Sequence, residues 1–378
     1  MKNMKKLSLC MVAILLCSFI PGTVHRANAE QMEFSYITIG GTVTITGCSG
    51  DATDIIVPDR IDNKPVTAIA ANAFRGKAEL TSVFLPVSVE TIGSYAFAGC
   101  SAMGNINILS KSVAIGAYAF SDCAGLTNVT VSGVIRELGN AAFYNCAGLL
   151  DVSTGRGLQR IGKYAFRGCS SLVDMDLKKT TSIGAYAFMG CTQLTSVVTS
   201  KTLKSIGKNA FYDTSDKLEI VVAKASKALT YVKRNKLSYR YADGTLLEDE
   251  EITYKKGKYR IIKSHKTKGT CMFLGAKDSS PVSFTIPDVI KVNEISYKVV
   301  EIQDYAFFSS KKLRKVTVGS NVKTIGSGAF AYCDKLTSVV IKGTQLKTVE
   351  SDAFEYSKKA KISVPKAKAA AYKKLIKR

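Results

Sequence analysis

Histidine is almost missing from this chain: its 378 residues include two. One, His25, lies in a segment that reads as a removable leader, and the other, His265, sits among lysines in Ser264-His265-Lys266. A serine or cysteine nucleophile relying on an imidazole base would have to use His265, and nothing around it suggests a pocket. Metal sites built on imidazole are excluded for the same reason. No Cys-x-x-Cys pair occurs, and no second long apolar run follows the one that ends at Ile20. The expectation is a chain with no enzymatic activity, no cofactor and no bound metal. A carboxylate pair, which suffices for glycoside hydrolysis, stays formally open.

What is present begins with that leader. Lys2, Lys5 and Lys6 precede an apolar run from Leu7 to Ile20, and Ala27-Asn28-Ala29 supplies small residues at a cleavage point. This is the pattern of a secretory signal over residues 1–29, too short for a transmembrane span. A lipoprotein signal would use Cys17, but Leu16 precedes it where a small residue is wanted. The expected location is extracellular or at the cell surface. No sorting motif or hydrophobic tail is visible before Arg378, so the sequence leaves anchoring unexplained.

Positive charge dominates. The formal charge is +23, and it falls to +19 without residues 1–29, which carry four basic residues and no acid. Such a surplus either keeps the protein soluble or favours anionic partners. For a secreted chain an anionic cell-wall polymer, an acidic glycan or a phospholipid surface is expected ahead of nucleic acid.

The strongest signal is an Ala-Phe pair that recurs at Ala73-Phe74, Ala96-Phe97, Ala119-Phe120, Ala142-Phe143, Ala165-Phe166, Ala187-Phe188 and Ala210-Phe211. The steps are 23 residues, with one of 22, and the pair resumes at Ala306-Phe307, Ala329-Phe330 and Ala353-Phe354. A complete unit reads Leu126-Thr127-Asn128-Val129-Thr130-Val131, Leu138-Gly139, Ala142-Phe143, Cys146, Leu149. Val129 and Val131 share one face of a short strand and Thr130 takes the other. An Ile-Gly step, as in Ile92-Gly93 and Ile161-Gly162, is expected to reverse the chain, and Ala-Phe-x-x-Cys-x-x-Leu to form a short returning arc. One unit offers ~10–15 kcal/mol of apolar burial. Ordering its backbone costs roughly 1–2 kcal/mol per residue over about 23 residues. A single unit therefore cannot fold alone, whereas stacked units share their cores.

The motif I-G-x-x-A-F-x-x-C-x-x-L-x-x-V-x-V resembles the BspA-like leucine-rich repeat family of bacterial surface and secreted proteins, over residues of about 55–222 and 284–364. The resemblance implies a repeat solenoid with a β-strand and a short helical or irregular arc per unit. It also implies attachment to host or microbial surface proteins or glycans. Two blocks are expected, 30–245 and 246–378. Ile56-Val57-Pro58-Asp59 and Ile286-Pro287-Asp288 open them alike, and Val222-Ala223-Lys224-Ala225 and Val364-Pro365-Lys366-Ala367 close them alike. A basic capping helix is expected after each closing motif, carrying Leu229 and Val232 in one and Tyr372, Leu375 and Ile376 in the other; the flanking lysines fit a membrane-surface helix as the alternative, which the narrow apolar face disfavours. A hairpin around Lys256-Gly257 is expected to start the second block.

Cys100, Cys123, Cys146, Cys169, Cys191 and Cys333 all stand three residues after the repeat phenylalanine. Stacking would align them at ~4.8 Å. That spacing suggests a metal ladder or disulfides, but buried free thiols are the expectation, because other units accept Lys77, Thr214, Ser310 or Ser357 there. The candidate ligand surface is the outward side of the Leu-x-x-Val-x-Val strands, read as the concave face. Its central residues are Asn105, Asn107, Asn128, Thr130, Asp151, Ser153, Asp174 and Asp176. They are small, polar and locally acidic, suited to hydrogen-bonding sugar hydroxyls or basic protein groups, although a solvated sheet face is polar in any case. The equivalent positions of the second block, Lys315, Thr317, Ser338 and Val340, are more basic.

Overall fold

The computed structural model describes residues 33–154, 157–278 and 281–376. The leader expected over residues 1–29 lies outside them. Within the described residues the chain is a β-solenoid with few helices. In Asn128–Val131 the two valines are buried and Thr130 is exposed. The same alternation runs through Ser82–Leu85 and Asn105–Ile108. The buried side of one coil is covered by the coils before and after it, as expected for units too small to enclose a core.

Each repeat supplies a strand to two sheets. The first set comprises the Val-x-Val strands, paired in parallel from Asp54–Ile56 through Asp151–Thr154. It resumes as a separate four-stranded sheet from Asp174–Asp176 to Tyr239–Tyr241. The second sheet opens with the antiparallel pair Phe34–Ile39 and Thr42–Cys48, then runs in parallel to Ser205–Ile206. Its short strands are the Ile-Gly steps: Thr91–Ile92, for example, pairs with Lys64–Ile69 and Ser112–Ile115.

This corrects the reading of Ile-Gly as a reversal. The glycine is needed for spacing, because a Cβ on Gly139 would lie 2.5 Å from the backbone of Gly116 and Ala117 in the preceding coil. Reversal occurs in the Ala-Phe arc instead. There the residue before alanine and the second residue after phenylalanine take φ > 0: Tyr95 at 57° and Gly99 at 75°, Ala141 at 55° and Asn145 at 61°. A tyrosine in the left-handed region is unusual. Inter-coil hydrogen bonds hold it there, Tyr95 N donating to Ala117 O at 2.9 Å and Tyr164 N to Ala185 O at 3.0 Å.

The arc delivers the phenylalanines into one continuous stack from Phe74 to Phe211, with ring centroids 5.1–5.5 Å apart. Phe307, Phe330 and Phe354 repeat it. Offset aromatic pairs contribute about 0.5–1.5 kcal/mol each beyond area burial, so the stack ties successive coils together. The buried apolar side chains form two clusters, one ending at Tyr241 and one starting at Leu246. Across that division Lys224 Nζ donates to Ser264 O at 2.7 Å.

Helix α1, Lys227–Arg234, is capped by Ser226 Oγ, which accepts from Leu229 N at 3.1 Å. It buries Ala228 and Val232 and packs against Ser205–Ile206 and Glu219–Val222. The hairpin expected at Lys256-Gly257 is present as Glu251–Tyr254 and Gly257–Lys263. Helix α2, Ala369–Leu375, buries Tyr372. The Tyr372 hydroxyl accepts from Leu346 N at 2.9 Å and donates to Gly343 O at 3.1 Å.

Candidate functional site

The Val-x-Val strands bring the predicted face residues together in register. Asn128 sits between Asn105 and Asp151, and Thr130 between Asn107 and Ser153. Asn105, Asn107, Thr130, Asp151, Ser153, Asp174 and Asp176 are exposed, and Asn128 is half-buried. The residues are partly ordered by one another. Asn105 Oδ1 accepts from Thr127 Oγ1 at 2.8 Å and from Asn128 Nδ2 at 3.0 Å. A side-chain network fixed before any ligand arrives lowers the ordering cost of binding.

The face is interrupted between Asp151–Thr154 and Asp174–Asp176, strands that belong to different sheets. The stacking bond there is stretched: Val173 N to Leu150 O measures 3.5 Å, against 2.8 Å for Leu150 N to Thr127 O one coil earlier. Two aspartates, Asp151 and Asp174, face each other across the break, and like charges directly opposite disfavour pairing. An open cavity of about 430 Å³ results, lined by Asp151, Ser153, Gly157, Asp174, Asp176 and Lys178 among others. Partial burial, and then the charge of Asp174, push the Asp151 carboxyl above its ordinary range. Asp176 is neutralised locally by Lys178 Nζ at 3.0 Å. Sequence reasoning located these residues but not the break. Its only trace in the sequence is two carboxylates one period apart at the same face position.

The second block presents a different face. Lys315 lies between Ser283 and Ser338, which in turn neighbours Lys361. Sequence reasoning missed a row of exposed aromatics along the arc of this block. Tyr305 meets Phe308 at 5.5 Å, Phe308 meets Tyr332 at 5.3 Å, and Tyr332 meets Tyr356 at 4.6 Å.

The cysteine column is a hydrogen-bonding device. Each of the six thiols donates to the carbonyl of the phenylalanine one coil back, at 2.9–3.2 Å. All eight described cysteines are free. Burial pushes the Cys100 thiol up to about 11 and those of Cys146 and Cys191 to about 12, so none is a thiolate at neutral pH. His265 is held in its turn by the backbone N–H of Thr267 and Lys268, which donate to its Nδ1 at 3.2 and 3.0 Å. No group of three or more histidine, cysteine or acidic residues converges to hold a metal among the described residues. No helix among them is long and apolar enough to cross a membrane.

The repeat itself matches the profile of the BspA type leucine rich repeat region, in six copies over residues 67–181, 159–240 and 283–374. The chain belongs to the BspA-type leucine-rich repeat family. Solved structures of other proteins are similar to this BspA-type chain. A leucine rich cell surface protein from Faecalibacterium prausnitzii is 19% identical, with a TM-score of 0.37, over 94% of this chain and 99% of its own. The T. pallidum leucine rich repeat protein TpLRR is 26% identical at a TM-score of 0.36, over 43% of this chain and 87% of its own. The pneumococcal vaccine antigen PcpA is 15% identical at a TM-score of 0.33, over 89% and 81%. No curated protein matches the chain.

Proposed function

We propose that this BspA-type chain is a secreted or surface-associated binding protein, without catalytic activity, that recognises surface proteins or glycans of a host or another microbe. Recognition is through the outward row of its first-block Val-x-Val strands. The observation that carries the reading is the register of Asn105, Asn128 and Asp151 on adjacent strands, continued past the break by Asp174 and Asp176. Polar side chains on a rigid sheet, spaced by the strand separation, can meet a repeating ligand at several points, so affinity is spread over coils rather than concentrated in one pocket. An open face excludes little water, which suits binding better than turnover. The signal-like residues 1–29 support export.

The test is an array of glycans and matrix proteins probed with the chain lacking residues 1–29 and with its Asp151→Ala, Asp174→Ala variant. Ligands captured by the parent chain are expected to be held at least tenfold more weakly by the variant, about 1.4 kcal/mol. Undiminished capture would reject this face. Conversion of any arrayed glycan would reject the non-catalytic reading.

A further inference from the structure

The two blocks close on similar helices, but the surroundings of those helices are charged differently. Around α1, two of the six basic residues from Lys224 to Arg240 have acidic partners: Arg240 meets Glu219 at 2.7 Å and Lys224 meets Asp243 at 3.6 Å. The chain then adds the strand Tyr239–Tyr241 beside the last coil, and an acidic run, Glu248 to Glu251, follows. Around α2 the balance is different. From Ser357 to Ile376 there are seven lysines and no acid. All seven are exposed, and none takes part in an ion pair among the described residues.

These lysines rim a groove of about 460 Å³ between the last coil and α2. Lys358, Lys359, Lys361 and Lys373 stand around it, while Ile362, Val364, Tyr372 and Ile376 line it. Val364, Ile362 and Ile376 are only half-buried, so apolar surface remains at the base of a strongly positive site. We propose that this C-terminal cap docks on an anionic phospholipid surface, the lysines meeting headgroup phosphates and the groove taking the apolar region just beneath a headgroup. Charge complementarity selects an anion, since unpaired lysines near an anionic bilayer each add to the attraction. The apolar lining selects a lipid over a hydrated phosphate polymer, which has no apolar surface to offer it. This site is separate from the first-block face and does not depend on its ligand.

The test is co-sedimentation of the chain lacking residues 1–29 with phosphatidylcholine vesicles, with and without phosphatidylglycerol. A variant carrying Lys358→Gln, Lys359→Gln, Lys373→Gln and Lys374→Gln is compared with one carrying Lys111→Gln, Lys201→Gln, Lys204→Gln and Lys208→Gln. Both sets are exposed, and a thermal melt verifies that each variant folds. The parent chain and the first-block variant are expected to pellet only with phosphatidylglycerol. The cap variant is expected to lose roughly a hundredfold or more in apparent affinity. An Ile376→Ser variant, which keeps every lysine, is expected to bind more weakly at unchanged salt dependence. No pelleting of the parent chain would overturn the proposal, and so would equal losses in the two lysine variants. Displacement by soluble poly(glycerol phosphate) at matched phosphate would overturn the lipid assignment in favour of a wall polymer.

Discussion

Cys146 Sγ donates to the carbonyl oxygen of Phe120, 2.9 Å away in the preceding coil. Ser357 makes the same bond to Phe330 O, at 2.6 Å. At Cys146 and Ser357 the column position favours a short side chain with a donor, because the arc leaves the phenylalanine carbonyl inside the core, where an unpaired acceptor is expensive; Thr214 at the same position donates instead to Phe211 O of its own coil, at 3.1 Å. Cys146→Ala should destabilise the protein by about 1–3 kcal/mol, and Cys146→Ser by less than about 1 kcal/mol. Urea denaturation of the three proteins checks this ordering. Equal losses for alanine and serine would mean that the thiol contributes volume alone.

Alkali should weaken the fold, and the sign follows from the thiols. An unfolded cysteine ionises near pH 8.5, whereas in the fold burial pushes Cys100 up to about 11 and Cys146, Cys191 and Cys271 to about 12. The folded state therefore holds protons that the unfolded state releases. The thiol contribution is complete below about pH 8 and is lost as pH rises from there through 11 to 12. Melting temperature measured across that window should fall with pH, and less steeply in Cys146→Ser. In the native chain lacking residues 1–29, at about pH 8, Ellman's reagent should leave the six column thiols unmodified and react with all eight described cysteines once denaturant is added.

The sequence made the architecture legible because its period is carried by large buried side chains. Phe74 to Phe211 and the cysteines behind them can be counted without coordinates, and they fix which residues face inward. Asn105, Asn128 and Asp151 then had to share a face, since strand alternation leaves them no other side. What could not be read was anything decided by backbone against backbone. The Ile-Gly step looked like a turn because glycine is common in turns, but Gly139 is required by the approach of Gly116 and Ala117. The break between Asp151 and Asp174 was hidden for a similar reason. Each residue alone fits its strand, and the opposition of two carboxylates at the break between the sheets shows only when the coils are stacked. The exposed aromatic row of the second block was missed because Tyr305, Phe308, Tyr332 and Tyr356 do not occupy one repeat position.

Gly139→Ala gives a direct test of that backbone argument. The added Cβ would meet main-chain atoms 2.5 Å away, with no flexible side chain to yield. Overpacking of this kind costs typically about 1–3 kcal/mol, although alanine in an exposed strand would ordinarily be favoured over glycine. The glycine row starts at the second coil of each block, after Ala70 and Gln303, as it should if contact with an earlier repeat coil is the cause. Glu350 in the last coil is an exception. A Gly139→Ala protein as stable as its parent in urea would show that the coils can separate freely.

Asp151→Asn should separate stability from recognition. Burial and the neighbouring Asp174 raise the Asp151 carboxyl, so its charge is less favourable in the fold than in the unfolded chain. For a carboxyl raised on folding, the associated stability is present at low pH and is lost as pH rises through the raised value. Removing the charge should therefore raise the melting temperature at neutral pH, and the gain should vanish at about pH 3, below the ordinary aspartate range. If the break between the two strands is a ligand site, the same substitution should weaken capture of whatever the first-block face binds. Such a trade of stability for function is expected where a surface keeps an unfavourable charge pair for use. A variant that melts higher and binds as before would show that the carboxylates separate the strands without serving recognition.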